Sequence, residues 1–136
     1  MVDTQTTTPE YMLLFHGTHW DKNLSPEELQ NVMSRWSAWF DRLVEEGKIK
    51  SARPLQHEGK IVSWKKGQTV ADGPFSESKE AIAGYFLLQI DDLDEALEIA
   101  KECPVLKYGM TVEVRPVAGL CQSLQKVNER LAHATP

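Results

Sequence analysis

Two side chains in this sequence could move a proton, and Asp72 is the first of them. It stands directly before Gly73 and Pro74, where the chain must turn sharply. A carboxylate at the mouth of a pocket can act as a general base or as a ligand anchor when burial or a nearby cation shifts its pKa. The ordinary alternative is that Asp72 caps its own turn through hydrogen bonds to the main chain. The sequence leaves both interpretations open.

His16 is the second candidate, at the end of the first predicted strand. Imidazole titrates near neutral pH and serves as an acid or a base in many sites, although a purely structural histidine is the alternative. With His19 it forms a His-x-x-His pair, but this is a weak zinc signal because no cysteine or third histidine close by completes the set. We therefore expect no metal and no other cofactor.

The side chains predicted to bind a ligand surround Asp72 in the sequence or flank predicted turns. Arg53 and Lys79 are the possible cations, while Trp64 and Phe75 are candidate pocket walls. Ser76, next to Phe75, completes the predicted set. We expect a pocket between the main sheet and a hairpin, with Asp72 and His16 as the catalytic groups.

Composition narrows the class of protein. The chain has 136 residues, of which 41% are hydrophobic and 26% charged, as expected for one globular domain. A net charge of −5 disfavours a nucleic-acid partner and an anionic membrane. The sequence has no glycine-rich phosphate loop and no Gly-x-Ser-x-Gly, which disfavours nucleotide binding and serine hydrolysis.

A cytoplasmic location is expected from three features. No apolar run approaches the ~20 residues that span a bilayer. The first residues, Met1-Val2-Asp3-Thr4, lack the basic and apolar segments of a signal peptide. The two cysteines, Cys103 and Cys121, are not in Cys-x-x-Cys spacing, and Cys103 is predicted to be a small buried hydrophobe on a helix.

The order of predicted elements is β-α-β-hairpin-β-α-β. A strand covers 11–16, and a capping box of Ser25 and Glu28 starts a helix that ends at Gly47. The segment 49–71 alternates strands and turns, 76–83 is a short helical turn, and 85–90 is a strand. A second helix begins at 91–95, buries Leu93, Ala96, Leu97 and Ala100, and ends before Pro104. A half-exposed strand follows at 111–117.

This order predicts an α+β fold of the ferredoxin-like, split βαβ type, with a four-stranded antiparallel sheet and an inserted hairpin. The expected parts are a tail at 1–9, a domain at 10–118 and a helical extension at 119–136, whose stripe is Leu120, Leu124, Val127 and Leu131. The strands at 11–16 and 85–90 are apolar on both faces, and two helices cover one face only. A homodimer packed sheet on sheet would bury the other face; the alternative is that the hairpin and the C-terminal segment cover it.

Several motifs together resemble the YCII-related, or DGPF, family. They are Asp72-Gly73-Pro74-Phe75, then Ser78-Lys79-Glu80 and Gly84-Tyr85, followed by Asp91-Asp92-Leu93-Asp94-Glu95-Ala96, Cys103-Pro104 and Val112-Glu113-Val114-Arg115-Pro116-Val117. The resemblance spans about residues 11–118. It implies a dimeric α+β barrel. Shorter relatives carry a histidine on the first helix that is proposed to pair with an aspartate, but Trp36 stands there in this chain, and Ala83 replaces the first glycine of a Gly-Gly pair.

The resemblance implies two classes of function. Some relatives resemble muconolactone isomerases and related small-molecule enzymes in fold, which favours a dimer that binds a small molecule and carries out acid–base chemistry on a small organic acid or enol. Other relatives are fused to, or encoded beside, extracytoplasmic-function sigma factors. The alternative is therefore a non-catalytic regulatory or interaction module with such a partner.

Overall fold

The computed structural model describes residues 9–64, 66–73, 81–119 and 121–134. The elements in chain order are β1 (Tyr11–His16), α1 (Pro26–Glu45), β2 (Ile49–Pro54), β3 (Lys60–Trp64), β4 (Gln68–Asp72), β5 (Ile82–Leu88), α2 (Leu93–Lys101), a 3-10 turn (Leu106–Tyr108), β6 (Thr111–Pro116) and α3 (Gln122–Ala134). The predicted tail lies, apart from Pro9, outside the described residues.

The main sheet has four antiparallel strands in the order β2-β5-β1-β6, and β3 with β4 forms a separate hairpin. This is the ferredoxin-like order, so the predicted α+β fold with an inserted hairpin is confirmed. The hairpin turn is tight, with Lys66 and Gly67 both at positive φ.

Helix α1 begins and ends where local chemistry dictates. The Ser25 hydroxyl accepts the Glu28 N–H, the Glu28 carboxylate accepts the Ser25 N–H, and Pro26 occupies the first turn. Gly47, at φ +70°, follows the end of the helix. The apolar stripe of α1 buries Val32, Trp39 and Leu43 against the sheet.

Helix α2 starts at the predicted place but buries a different stripe. The Asp92 side chain caps it by accepting the Asp94 N–H. Ala96, Ile99 and Ala100 are buried, as predicted for the two alanines, whereas Leu93 and Leu97 are exposed. The prediction that Leu93 and Leu97 contribute to the core was wrong. The face of α2 that packs on the sheet carries Ile99 and the small alanines, which allow close packing, and the two leucines lie outside it.

Strand β5 begins earlier than predicted. It covers Ile82–Leu88 rather than 85–90, so residues 82–83 are strand and not part of a helical turn. Residues 76–80 of that predicted turn lie outside the described residues. Gly84 lies within the strand, because its lack of a side chain lets its main chain approach β2 closely.

The two faces of the sheet differ in their cover. Leu13, Phe15, Phe86 and Leu88 point towards the helices and are buried. Alternation places Met12, Leu14, Tyr85 and Leu87 on the opposite face, which we call the open face, where they are half-buried. The predicted apolar character of both faces of β1 and β5 is therefore present in the fold.

The C-terminal helix α3 follows β6 after a short connection. Its apolar residues Leu124 and Val127 are about half exposed, and Leu131 more so. No helix in the described part of the chain is long and apolar enough to cross a membrane.

Candidate functional site

A cavity of about 350 Å³ lies between α1 and the sheet, at its β2–β5 edge. It takes its walls from α1, β1, β2, β5 and the two loops near Trp20 and Val105. Its lining residues are Phe15, Trp20, Met33, Trp36, Phe40, Ala52, Arg53, Pro54, Ala83, Gly84, Tyr85, Phe86, Val105 and Met110. This set is almost entirely apolar, so water bound there would find few partners.

The cavity exists because small residues face the helix from the two strands beneath it. Ala52 of β2 pairs with Phe86 of β5, and Gly84 of β5 pairs with Pro54 of β2. Both Ala52 and Gly84 therefore lie on the helix-facing side of the sheet. Neither fills the space under α1, which leaves the strand main chain as a floor. A methyl group added at Gly84 would lie 2.8 Å from the carbonyl oxygen of Arg53. The glycine therefore permits both the close strand pairing and the open floor.

Aromatic rings form the remaining walls. The ring centroids of Phe15 and Trp36 are 5.1 Å apart at an interplanar angle of 63°. Phe86 lies 5.7 Å from Trp36 and 5.4 Å from Phe40. Rings fixed by such edge and tilted contacts offer faces and edges on which another aromatic ring can pack. The arrangement suits a flat, apolar guest.

Arg53 borders this cavity, as its predicted ligand-binding role would need. It pairs with Tyr85 across β2 and β5, and alternation assigns both side chains to the open face. Arg53 and Tyr85 consequently border the cavity chiefly through their main chain.

His16 lies at the end of β1, on the open face and outside the cavity lining. Its Nε2 is 2.8 Å from Oε1 of Glu113, and Nε of Arg115 is 3.5 Å from Oε2 of the same carboxylate. A carboxylate in this position orients the imidazole through the hydrogen bond. The three side chains form a His16–Glu113–Arg115 row that could exchange a proton with a ligand on the open face.

Asp72 lies at the end of β4, in the hairpin, and its carboxylate pairs with the Lys60 ammonium across the two strands. Trp64 ends β3 in the same hairpin and is 74% exposed. Neither residue borders the cavity, so the apolar pocket lies under α1 rather than between sheet and hairpin. The predicted ligand residues Phe75, Ser76 and Lys79 lie outside the described residues.

The histidines do not assemble a metal set in the described ranges. The His19 ring lies 5.4 Å from the His57 ring, edge to face. Across the ranges that the structure describes, no three His, Cys, Asp or Glu side chains are grouped as metal ligands would be.

Sequence reasoning missed most of the cavity wall. Met33, Trp36 and Phe40 recur along α1 at the spacing of an apolar helix face. Their spacing reveals a buried face but not the gap opposite it. The available signal was the resemblance, which implies a histidine proposed to pair with an aspartate at the position of Trp36.

The fold and the apolar cavity define a small α+β protein with a site under its first helix. A family model described as "YCII-related domain" matches residues 10–119. The chain therefore belongs to the YCII-related family.

Two individual proteins are similar to it. An uncharacterized protein of Rhizobium meliloti (strain 1021) is 34% identical over 105 residues, which cover 69% of this chain and 79% of that protein. A solved structure of 5-chloro-2-hydroxyhydroquinone dehydrochlorinase from Burkholderia phenoliruptrix AC1100, in complex with 2,5-dihydroxybenzoquinone, is 15% identical. It covers 78% of this chain and 90% of its own, with a TM-score of 0.41, and at that level it says nothing about the ligand of this chain.

Proposed function

We propose that this protein binds a small, flat and mostly apolar organic molecule in the cavity under α1. The observation that carries the proposal is the combination of an aromatic wall with a floor of Ala52 and Gly84. An apolar cleft of this size, partly open to solvent and walled by aromatic side chains, is the usual form of a ligand site.

The chemistry of the wall defines the class of ligand. Phe15, Trp36 and Phe86 offer aromatic surfaces, and Met33 and Met110 add flexible thioethers that adapt to shape. The volume of about 350 Å³ accommodates one or two fused rings. An aromatic or quinoid compound of low charge fits these walls. Arg53 is the one charged residue of the lining, and strand alternation places its side chain on the open face rather than in the cavity.

A fluorescence titration with N-phenyl-1-naphthylamine, a neutral dye that brightens in apolar sites, tests the proposal. We expect saturable binding to wild type and at least a ~10-fold loss in Ala52→Leu, because each added buried methylene displaces ligand contacts worth about 0.8 kcal/mol. Ala71→Leu is the matched control, since Ala71 is an exposed alanine of the hairpin that does not line the cavity. Equal binding by all three proteins would place the dye elsewhere and refute the proposal.

We also propose that the protein works as a homodimer, the dimeric α+β barrel that the sequence motifs imply. The support is the open face, where Met12, Leu14, Tyr85 and Leu87 lie together on the two central strands. Sheets packed face to face bury such side chains, and a two-fold axis makes the contact self-complementary.

Sedimentation equilibrium at micromolar concentration tests the dimer. We expect wild type to sediment as a dimer and Leu14→Lys to sediment as a folded monomer. Val62→Lys should remain dimeric, because Val62 is exposed on the hairpin, whose strands are not part of the main sheet. A monomeric wild type would contradict this part of the proposal.

The acid–base roles of Asp72 and His16 remain predictions, separate from the proposed binding of an apolar molecule under α1. Both lie outside the cavity, on the hairpin and the open face, so they need not act on a molecule bound under α1. A cytoplasmic location is also a proposal; it is supported by Cys103 and Cys121, which are both free thiols.

A further inference from the structure

We infer that a second site, the groove between α1 and the segment from α2 to the 3-10 turn, binds a small polyanion. The groove is open to solvent and has a volume of about 510 Å³. Its lining residues are Arg35, Ala38, Trp39, Arg42, Lys101, Glu102, Cys103, Pro104 and Lys107. It is distinct from the cavity under α1, with which it shares no lining residue.

The charge of the groove is opposite to that of the chain. Four of the 15 basic residues line it, with only one of the 20 acidic residues, in a protein of net charge −5. Arg35 and Arg42 are seven residues apart on α1 and therefore share a helix face. An anion bound across the groove would be attracted by this local excess of positive charge.

The cations of the groove keep donors available. Nη2 of Arg35 donates to the Tyr108 hydroxyl at 3.3 Å, which fixes the guanidinium but uses only one of its five N–H groups. Arg42 pairs with Glu102, the one acid of the lining, at 2.5 Å, and Lys101 pairs with Glu98 at 3.1 Å. Among the described residues, Arg35 and Lys107 are therefore the groove cations without a carboxylate partner. Planar guanidinium groups match the paired oxygens of phosphate and carboxylate, and Lys107 adds a point charge beside them.

Phosphate groups and multiple carboxylates share the chemistry that this groove recognises. A groove of this size can hold a small molecule. We therefore assign the ligand to phosphorylated or polycarboxylate metabolites. Since several of these cations are partly exposed, the affinity should fall as ionic strength rises.

Isothermal titration calorimetry with inorganic pyrophosphate and, separately, with citrate tests the inference at constant ionic strength set with sodium chloride. We expect wild type to bind at least one of them with submillimolar affinity and a matching rise in the unfolding temperature. Arg35→Gln and Lys107→Gln should each weaken binding by about tenfold, the effect of losing one charge-assisted contact. Lys50→Gln is the control, because Lys50 pairs with Glu10 away from the groove.

Comparing the two ligands distinguishes a phosphate ester from a polycarboxylate as the class of anion that the groove binds. Binding of pyrophosphate alone supports a phosphate ester, and equal binding of citrate supports polycarboxylates. Absence of binding at millimolar concentration, or equal affinity in wild type, Arg35→Gln and Lys107→Gln, overturns the inference. Ala52→Leu, which blocks the cavity under α1, should bind the anion like wild type, so this test stands apart from the aromatic site.

Discussion

The carbonyl oxygen of Arg53 stands 2.8 Å from the place where a Cβ atom of Gly84 would lie. That distance joins two main chains, β2 and β5, so no side chain can rotate away to relieve it. Every residue other than glycine must therefore push the edge strand outwards. The same close approach of β2 and β5 forms the floor of the cavity.

Gly84→Ala should lower the free energy of unfolding by about 1–3 kcal/mol, the usual cost of overpacking. It should also weaken binding of the naphthylamine dye, since β2 forms one side of the cavity. Urea unfolding measures the first effect. Gly59→Ala is the control, because an added Cβ there has no neighbour within 4 Å; equal stability of the two variants would show that β2 and β5 tolerate the methyl group.

Asp72→Asn separates a functional carboxylate from a surface charge. Asp72 and Lys60 are both largely exposed, so losing their ion pair should change the free energy of unfolding by less than about 1 kcal/mol. We expect dye binding under α1 to be unchanged. Asp91→Asn, another exposed aspartate, is the control. A loss of ligand affinity or turnover of ~10²-fold with unchanged stability would instead assign Asp72 to a site.

The two cysteines should differ strongly in reactivity. Burial raises the pKa of the Cys103 thiol to about 11. Main-chain hydrogen bonds from Leu124 and Ser123 lower the pKa of the exposed Cys121 thiol. Iodoacetamide followed by mass spectrometry should therefore label Cys121 at neutral pH, faster than a model thiol, and leave Cys103 unmodified until the protein unfolds. Rapid labelling of Cys103 would mean that its surroundings open readily.

Lys48 should make stability depend on alkaline pH. Its hydrogen bond to Glu95, at 3.0 Å, raises the pKa of the Lys48 ammonium above the usual 10.5. Because the folded pKa is the higher one, the stabilisation is complete below about pH 10.5 and disappears as the pH rises through the folded value. Lys48→Met should lose stability at about pH 8 and approach wild type at higher pH. Lys101→Met, which removes an exposed i,i+3 pair with Glu98, serves as control.

Local signals in the sequence predicted much of the fold. Ser25, Glu28 and Gly47 define the ends of α1 through contacts within a few residues, and such contacts can be read from sequence. The strand order followed from the element order. The start of β5 could not be predicted, because the role of Gly84 depends on β2, which is distant in sequence.

The candidate site was harder to predict for the same reason. Trp36 has the spacing of a core residue. The cavity beside it forms because Ala52, on a strand distant in sequence, is too small to fill the space under α1. The contact between His16 and Glu113 joins residues 97 positions apart and depends on the pairing of β1 with β6. Periodicity shows which face of an element is buried, but not how well the opposite element fills the space.

A crystal structure of the protein grown with 2-naphthol tests the aromatic site most directly. We predict electron density for one ring system under α1, packed against Trp36 and Phe86 above the main chain at Gly84. A structure at saturating ligand with that space empty, or with the ligand only against exposed Trp64 of the hairpin, would contradict the account.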